Sequence, residues 1–470
     1  MMWVKAAGLA RGLISLNTSP SSSKTLIFFM TRSSLSLIQK YDQPVPRYTS
    51  YPTAPHFSAD VGETDYRRWL AELDPSTPLS LYVHVPFCAS MCWFCGCHTK
   101  ITQRYQPIAT YVDHVLKEMA LLAAAMPARM QVAHVHWGGG SPTMLHAEDW
   151  QRMAAALRTY FHVRDGAELA VELDPRTATK AYIETLANAG VTRVSIGVQD
   201  FDARVQEAIN RIQPYEQTAE VVDWLRGAGI DAINMDLMYG LPHQRVETVV
   251  DQVDLAVSLD PQRIALFGYA HVPWMKAHQK MIDDAVLPDG AARAAQFDAA
   301  RARLLTLGYH AIGLDHFARS DDALVTGAVK RNFQGYTVDE APVLLGLGAS
   351  SIGYLHQAYL QNEPATGRYQ AAVAAGHLPI ARGRVLTCED RARREIINGL
   401  MCDLAAELGP RISRYGDALA SLQPMMEDGL VVLQGTRLVV TEKGRPFVRV
   451  AAAAFDAYLG QGGGRHSKAV

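Results

Sequence analysis

The sequence predicts an α/β fold built on a parallel sheet, and three observations carry that prediction. Six short β-branched, apolar runs (79–87, 132–137, 169–173, 193–198, 233–238 and 264–269) alternate with segments of helical period. Those segments repeat apolar residues at i, i+3, i+4 and i+7, as in Trp150, Met153, Ala154, Leu157, Tyr160 and Phe161, and again in Ala219, Val222 and Leu225 beside Trp224. A stop signal recurs ahead of the next strand at Gly190, Gly229 and Gly308, where glycine takes the left-handed backbone that ends a helix. Repeated right-handed crossovers build either a doubly wound sheet or a barrel, and the pattern leaves both open. In both, chemistry belongs at the C-terminal ends of the strands. Residues 138–141, 172–176, Gln199 and 239–242 fall there.

Composition bounds the rest. A chain of 470 residues, 49% hydrophobic and 20% charged, is globular, with room for two or three domains or one large barrel with additions. A net charge of -2 gives no basic surplus for nucleic acid, and no apolar run reaches the length of a membrane span. Residues 1–41 hold no Asp or Glu, five Lys or Arg and eight serines. They read as an unfolded N-terminal extension, either an organelle-targeting segment or a stretch upstream of a start at Met30, with an ordered N-terminal arm as the third reading. The main domain is expected over 42–375. From 376 to 459 an Arg-rich helical stretch (Arg391, Arg393, Arg394), a hairpin at 428–432 and 438–441 and a last helix over 451–459 suggest a small, mainly helical, winged-helix-like lid or scaffold. Residues 460–470 read as a flexible tail.

Four of the six cysteines crowd into ten residues, which no disulfide framework does. Cys88, Cys92 and Cys95 form C-x3-C-x2-C directly after a strand. Three thiolates on one loop can hold three corners of a [4Fe-4S] cubane and leave the fourth iron open to a cofactor or substrate. The competing reading is a closed zinc site with Cys97 as fourth ligand. Cys388 and Cys402 are expected to be buried small apolar residues.

The three-cysteine loop, with Phe94 before the last cysteine, resembles the signature of radical S-adenosylmethionine (SAM) enzymes. The likeness is closer than that. PLSLYVHVPFCASMCWFCGC, PRYTSYPTAPHF, HWGGGSPT, VELDPR, GVQDF, INMDLMYGLP and RNFQGYT together resemble the oxygen-independent coproporphyrinogen III oxidase family over roughly residues 36 to 459. The resemblance implies a partial (β/α)6 TIM-like barrel with the small C-terminal domain. It implies a cluster on Cys88, Cys92 and Cys95, and SAM, with two molecules suspected. Tyr82, Gly139, Gly140, Ser141, Glu172, Gln199, Arg211 and Asp236 match SAM-contacting positions; Phe94, Ala270 and Ile352 match positions touching adenine or a second SAM. Carboxylates such as Glu172 and Asp236 suit ribose hydroxyls or the ammonium, and Arg211 suits a carboxylate. Tyr82, His84 and Cys97 are the candidate catalytic residues; strand alternation puts Tyr82 and His84 on one face.

The implied substrate, coproporphyrinogen III, carries four propionates, so carboxylate-binding donors are needed beside a large apolar cavity. Arg47, His316, Arg319 and Arg331 lie in matching segments. The implied reaction is anaerobic decarboxylation of two propionates to vinyls in haem biosynthesis, in a cytoplasmic monomer fed by a flavodoxin- or ferredoxin-like donor and emptied by an unknown acceptor. Haem chaperones of the same superfamily are the alternative; they generally lack the residue matching Cys97 and the RNFQGYT segment.

Overall fold

The computed structural model describes residues 32–461 and 466–468. Its strands in chain order are β1 (Leu79–Val85), β2 (Phe87–Cys88), β3 (Lys100–Ile101), β4 (Gln131–Gly139), β5 (His162–Leu173), β6 (Arg193–Gln199), β7 (Ala232–Tyr239) and β8 (Arg263–Gly268). They continue with β9 (His310–Ile312), β10 (His316–Ala318), β11 (Lys330–Asn332), β12 (Gly335–Thr337), β13 (Val343–Leu347), β14 (Ile352–Tyr354), β15 (Ala358–Asn362) and β16 (Ile380–Val385). Last come β17 (Ala405–Glu407), β18 (Val431–Gln434) and β19 (Arg437–Val440).

One twelve-stranded sheet runs β16-β15-β14-β13-β1-β4-β5-β6-β7-β8-β10-β9. From β13 to β8 every pairing is parallel, and the flanking strands are antiparallel. The six expected strands are all present, and helices such as Ala147–Tyr160 and Tyr215–Gly227 lay their apolar stripes on them. Gly190, Gly229 and Gly308 all take positive φ at the helix ends. Side chains from β1, β4, β5, β6, β7, β8 and β13 line one polar cavity of about 110 Å³, so the sheet curves around its own interior as a barrel does.

Several expectations change. β5 starts at His162 rather than 169, because its first half is largely exposed and carries no apolar signal. The large sheet claims β16, so the C-terminal unit begins at Thr387, which caps helix Cys388–Asp403 with Asp390, and not at 376. That unit has the expected hairpin, β18 and β19, plus a third strand, β17; its last helix is Val448–Ala453 rather than 451–459. Cys402 is buried as expected, but Cys388 opens its helix on the surface.

The expected unfolded extension is shorter than 41 residues. Helix Arg32–Tyr41 buries Leu37, Ile38 and Tyr41 in the core of the C-terminal unit; residues 1–31 lie outside the described residues. The tail is not loose throughout. Ser467 and Lys468 give their carbonyls to Arg449, and Lys468 bridges to Pro44. Arg449 also takes the carbonyls of Val45 and Pro46, so one buried guanidinium ties both ends of the chain together.

Candidate active site

The cysteine loop leaves the C-terminal end of β1. β2 pairs in parallel with β3, which closes the loop at its base, and Thr102 N–H bonds Cys88 O at 3.0 Å. Two neighbouring loops hold its middle. Trp93 N–H reaches Ile209 O at 2.9 Å and Asn210 Nδ2 reaches Met91 O at 2.7 Å. On the other side, one segment bonds three carbonyls of the loop: Gln279 Nε2 to Phe94 O (3.0 Å), His278 Nε2 to Cys95 O (2.7 Å) and Lys276 Nζ to Cys97 O (2.9 Å).

The buried Cys92 thiol lies between two guanidiniums. Arg176 Nη2 is 3.4 Å and Arg211 Nη1 is 3.7 Å from Cys92 Sγ. Asp174 holds both, at 2.7 Å from Arg176 and 3.4 Å from Arg211. Arg211 also donates to Gly197 O at 2.5 Å, beside Gln199, whose φ of 72° follows a register break in β6. Arg211 therefore helps to pin the cysteine loop, and its buried Nε has no hydrogen-bond partner among the described residues. Asp174 and Arg176 lie in the VELDPR run, yet their side chains were not singled out from sequence. A cysteine 84 or 119 residues away gives no local signal to an arginine.

A second group forms along the ends of β1, β4 and β5. Tyr82 Oη and His84 Nδ1 are 3.0 Å apart, as alternation requires, and His84 Nε2 meets His98 O at 3.0 Å. Burial lowers the His84 pKa, which favours the neutral ring. Tyr82 stacks on His136, and His136 Nε2 meets Glu172 Oε1 at 3.1 Å while Gly139 N–H donates to Oε2 at 3.0 Å. Burial alone would raise the Glu172 pKa; the hydrogen bond and charge of His136 and the Gly139 N–H outweigh it and hold it below its ordinary value.

The glycine run makes this packing possible. A Cβ on Gly138 would fall 2.5 Å from Glu172 Oε1, and one on Gly139, at φ +111°, 2.3 Å from the His84 ring. One on Gly140 would meet Phe87 O at 2.6 Å. Ser141 is buried against Thr143. Asp236 on β7 bonds Ser195 and Asn234; burial and the Glu172 charge push it up to about 6. Gln279 bonds both Phe94 O and Ala270 O, joining those two positions. Ile352 lies one strand beyond β13, where its backbone backs Gly346, the partner in register with Tyr82. Cys97 is exposed and donates its N–H to Cys95 Sγ at 3.4 Å.

A cavity of about 780 Å³ opens beside the ends of β7 and β8, between the barrel, helix Gly290–Thr306, the N-terminal segment and the C-terminal unit. Ala270, His271 and Trp274 line it, and the same segment continues into Lys276, His278 and Gln279, which hold the cysteine loop.

A curved parallel sheet with three cysteines on the loop after its first strand defines a radical SAM protein, and the chain matches the Radical SAM superfamily over residues 82–256 and the HemN C-terminal domain over 386–447. It is 49% identical to an oxygen-independent coproporphyrinogen III oxidase of Bradyrhizobium diazoefficiens, across 91% of this chain and 98% of that one, and 43% identical to one of Paracoccus denitrificans, across 91% and 97%. The solved coproporphyrinogen III oxidase (HemN) of Escherichia coli superposes with a TM-score of 0.85 at 36% identity, covering 90% of this chain and 98% of that one. The chain belongs to the oxygen-independent coproporphyrinogen III oxidase family. Its cofactors are accordingly a [4Fe-4S] cluster and SAM.

The donor set fits a cluster. Cys88, Cys92 and Cys95, three free thiols on one loop, can take three corners of a cubane. Two guanidiniums reach Cys92 Sγ and fix its place on the loop.

Proposed function

We propose that this chain oxidatively decarboxylates two propionates of coproporphyrinogen III to vinyl groups, giving protoporphyrinogen IX in haem biosynthesis, with the residues above in the following roles. Cys88, Cys92 and Cys95 hold the cluster, and Arg176, Arg211 and Asp174 hold Cys92. Glu172, Asp236 and Tyr82 bind the polar groups of SAM, with Gly139, Gly140, Ser141, Gln199 and Arg211 shaping its site. Phe94, Ala270 and Ile352 bound the adenine side or a second SAM. When bound, the cluster and SAM supply a 5′-deoxyadenosyl radical, which removes a hydrogen atom from a propionate β-carbon. The chain positions that carbon and keeps water and oxygen from the radical. For each propionate the balance is one hydrogen atom and one electron lost, CO2 released and a C=C bond formed; the electron passes to a one-electron acceptor. His84 orients Tyr82, and Cys97 orders the loop through Cys95.

The observation that carries this reading is the large cavity at the β7–β8 edge, joined by one short segment to the cysteine loop. Among the described residues no helix is long and apolar enough to cross a membrane, and all six cysteines are free, which supports a reducing cytoplasmic setting. In this reading the chain acts as a monomer and takes electrons from a flavodoxin- or ferredoxin-like donor. The test is anaerobic incubation of reconstituted protein with coproporphyrinogen III, SAM and a reductant. Protoporphyrinogen and 5′-deoxyadenosine are expected together. Haem binding without either product would move the chain to the chaperone class.

A further inference from the structure

Most of the charged groups around the large cavity are committed to the fold, and the uncommitted cations gather at one spot. Five basic side chains line it: Arg47, Arg293, Lys443, Arg449 and Lys468. Three are committed to the fold. Arg449 holds four backbone carbonyls, Lys443 bonds Asp428 O at 2.8 Å, and Lys468 pairs with Asp42 at 3.1 Å. Four of the five acids are committed too, Asp42 to Lys468 among them, while Asp298 makes no hydrogen bond or ion pair to a described residue. Asp289 caps helix Gly290–Thr306, Glu442 pairs with Arg301 and Arg445, and Asp315 bonds the His316 ring at 2.8 Å.

Arg47 and Arg293 differ from the rest. Arg47 stands exposed in the cavity and makes one contact, from Nη2 to Gly268 O at 3.1 Å. The Arg293 guanidinium lies over the Tyr239 ring, 5.6 Å from its centroid, and donates no hydrogen bond to any described residue. The Tyr239 hydroxyl likewise has no hydrogen-bond partner among the described residues. All three groups converge on Gly268, at the end of β8. A Cβ there would fall 2.8 Å from Tyr239 Oη and 3.2 Å from Arg293 Nη2, and one on Gly240 would fall 2.2 Å from Arg293 Nη1. Two glycines thus make room for a cluster of unspent donors, two residues before Ala270.

We infer that Arg47, Arg293 and Tyr239 form a carboxylate subsite that anchors a propionate of the tetrapyrrole in this cavity. The inference rests on the function proposed above and adds the residues that recognise the substrate. Two guanidinium forks and a phenol match the acceptor-only oxygens of a carboxylate. The remaining wall, with Ile38, Leu287, Phe297, Leu314 and Phe447, suits an apolar macrocycle, and the volume lies toward the large end of small-molecule sites. Of the arginines matched in sequence, Arg47 is in this subsite. Arg319 is not; it is paired with Asp260 at 2.5 Å, away from the cavity. His316 faces the smaller polar cavity, and Arg331 lies over Tyr336 and bonds Arg47 O at 3.4 Å, behind Arg47.

The test uses the full chain with its cluster reconstituted anaerobically. Binding of coproporphyrin III, the stable aromatic tetracarboxylic acid, is followed by fluorescence and compared with its tetramethyl ester. The wild-type chain should prefer the acid at least tenfold. Arg47→Gln and Arg293→Gln should each weaken acid binding about tenfold or more while leaving ester binding unchanged. Arg293→Lys, which keeps the charge and loses the fork, should fall between, and Tyr239→Phe should cost a few-fold. Iron content equal to wild type certifies that a variant is folded, and Arg319→Gln is the surface control. Unchanged acid preference in iron-replete Arg47→Gln and Arg293→Gln would overturn the subsite alone. A wild-type chain that bound neither porphyrin and formed no product would overturn the functional reading and the subsite with it.

Discussion

Glu172 is a half-buried carboxylate that faces an imidazole at 3.1 Å and accepts a backbone N–H at 3.0 Å. A hydrogen bond to a charged group contributes about 1.5–3 kcal/mol, or roughly 10- to 100-fold in binding. Glu172→Gln keeps the shape and removes the charge, so SAM cleavage should fall by that range with iron content unchanged; 5′-deoxyadenosine formation reads it out, and wild-type cleavage would remove Glu172 from the cofactor site. The cysteines divide differently. Cys92→Ala leaves Arg176 and Arg211 without their sulfur and should empty the site of iron. Cys97→Ala keeps the backbone N–H that donates to Cys95 Sγ and loses only the thiol beside it, so it should retain iron and slow turnover. Loss of iron in Cys97→Ala would point instead to a four-thiolate metal. At this level sequence reading went as far as motifs reach. The cysteines, Glu172 and Arg211 lie in recognisable runs, but Arg293 sits in an ordinary helix whose arginines all look solvated, and only the fold sets it over Tyr239.

Among the elements, the parallel strands were legible in two ways: β1, with six of its seven residues buried, is a near-continuous apolar run, whereas β6 and β7 alternate buried residues with half-buried ones. β13 was not, although it pairs with β1. It leads through a tight turn into antiparallel strands with polar inward residues such as Gln361 and Asn362, so neither the βα alternation nor a period-2 pattern marks it. The end of β4 carries the sharpest test of an element. Gly139→Ala combines a positive φ with a Cβ inside the His84 ring, and should destabilise by about 2–3 kcal/mol and disturb the Tyr82–His84 pair. Gly166→Ala, at φ +77° with no atom within 4 Å of the added carbon, isolates backbone strain at about 1 kcal/mol. Urea midpoints compare the two; equal losses would mean that the approach of His84 contributes nothing.

Across the molecule, the sheet edge beyond β1 is gathered by one carboxyl group. Glu118, on helix Gln106–Ala125 and 2% exposed, accepts from Gly348 N (2.7 Å) after β13, Asn362 Nδ2 (2.6 Å) on β15 and Tyr369 Oη (2.6 Å) on helix Thr366–Ala374. Four elements separated by up to 251 positions in sequence therefore meet at one group. Burial pushes its pKa up to about 7, against an opposing pull from those three donors. Since the folded value lies above the unfolded one near 4.5, the folded chain binds more protons between these limits, and stability falls as pH rises through that window. The cost is absent below about pH 4.5, grows to about 3 kcal/mol and is complete above about pH 7. Glu118→Gln cannot ionise. It places an amide N–H₂ against donors and so costs about 1 kcal/mol at low pH, but that cost does not grow with pH. Wild type should lose stability from about pH 5 to pH 8 more steeply than the variant, so that the variant matches or exceeds it at the alkaline end. Urea unfolding at stepped pH measures both curves, and parallel curves would show that Glu118 has no part in the pH dependence of the fold.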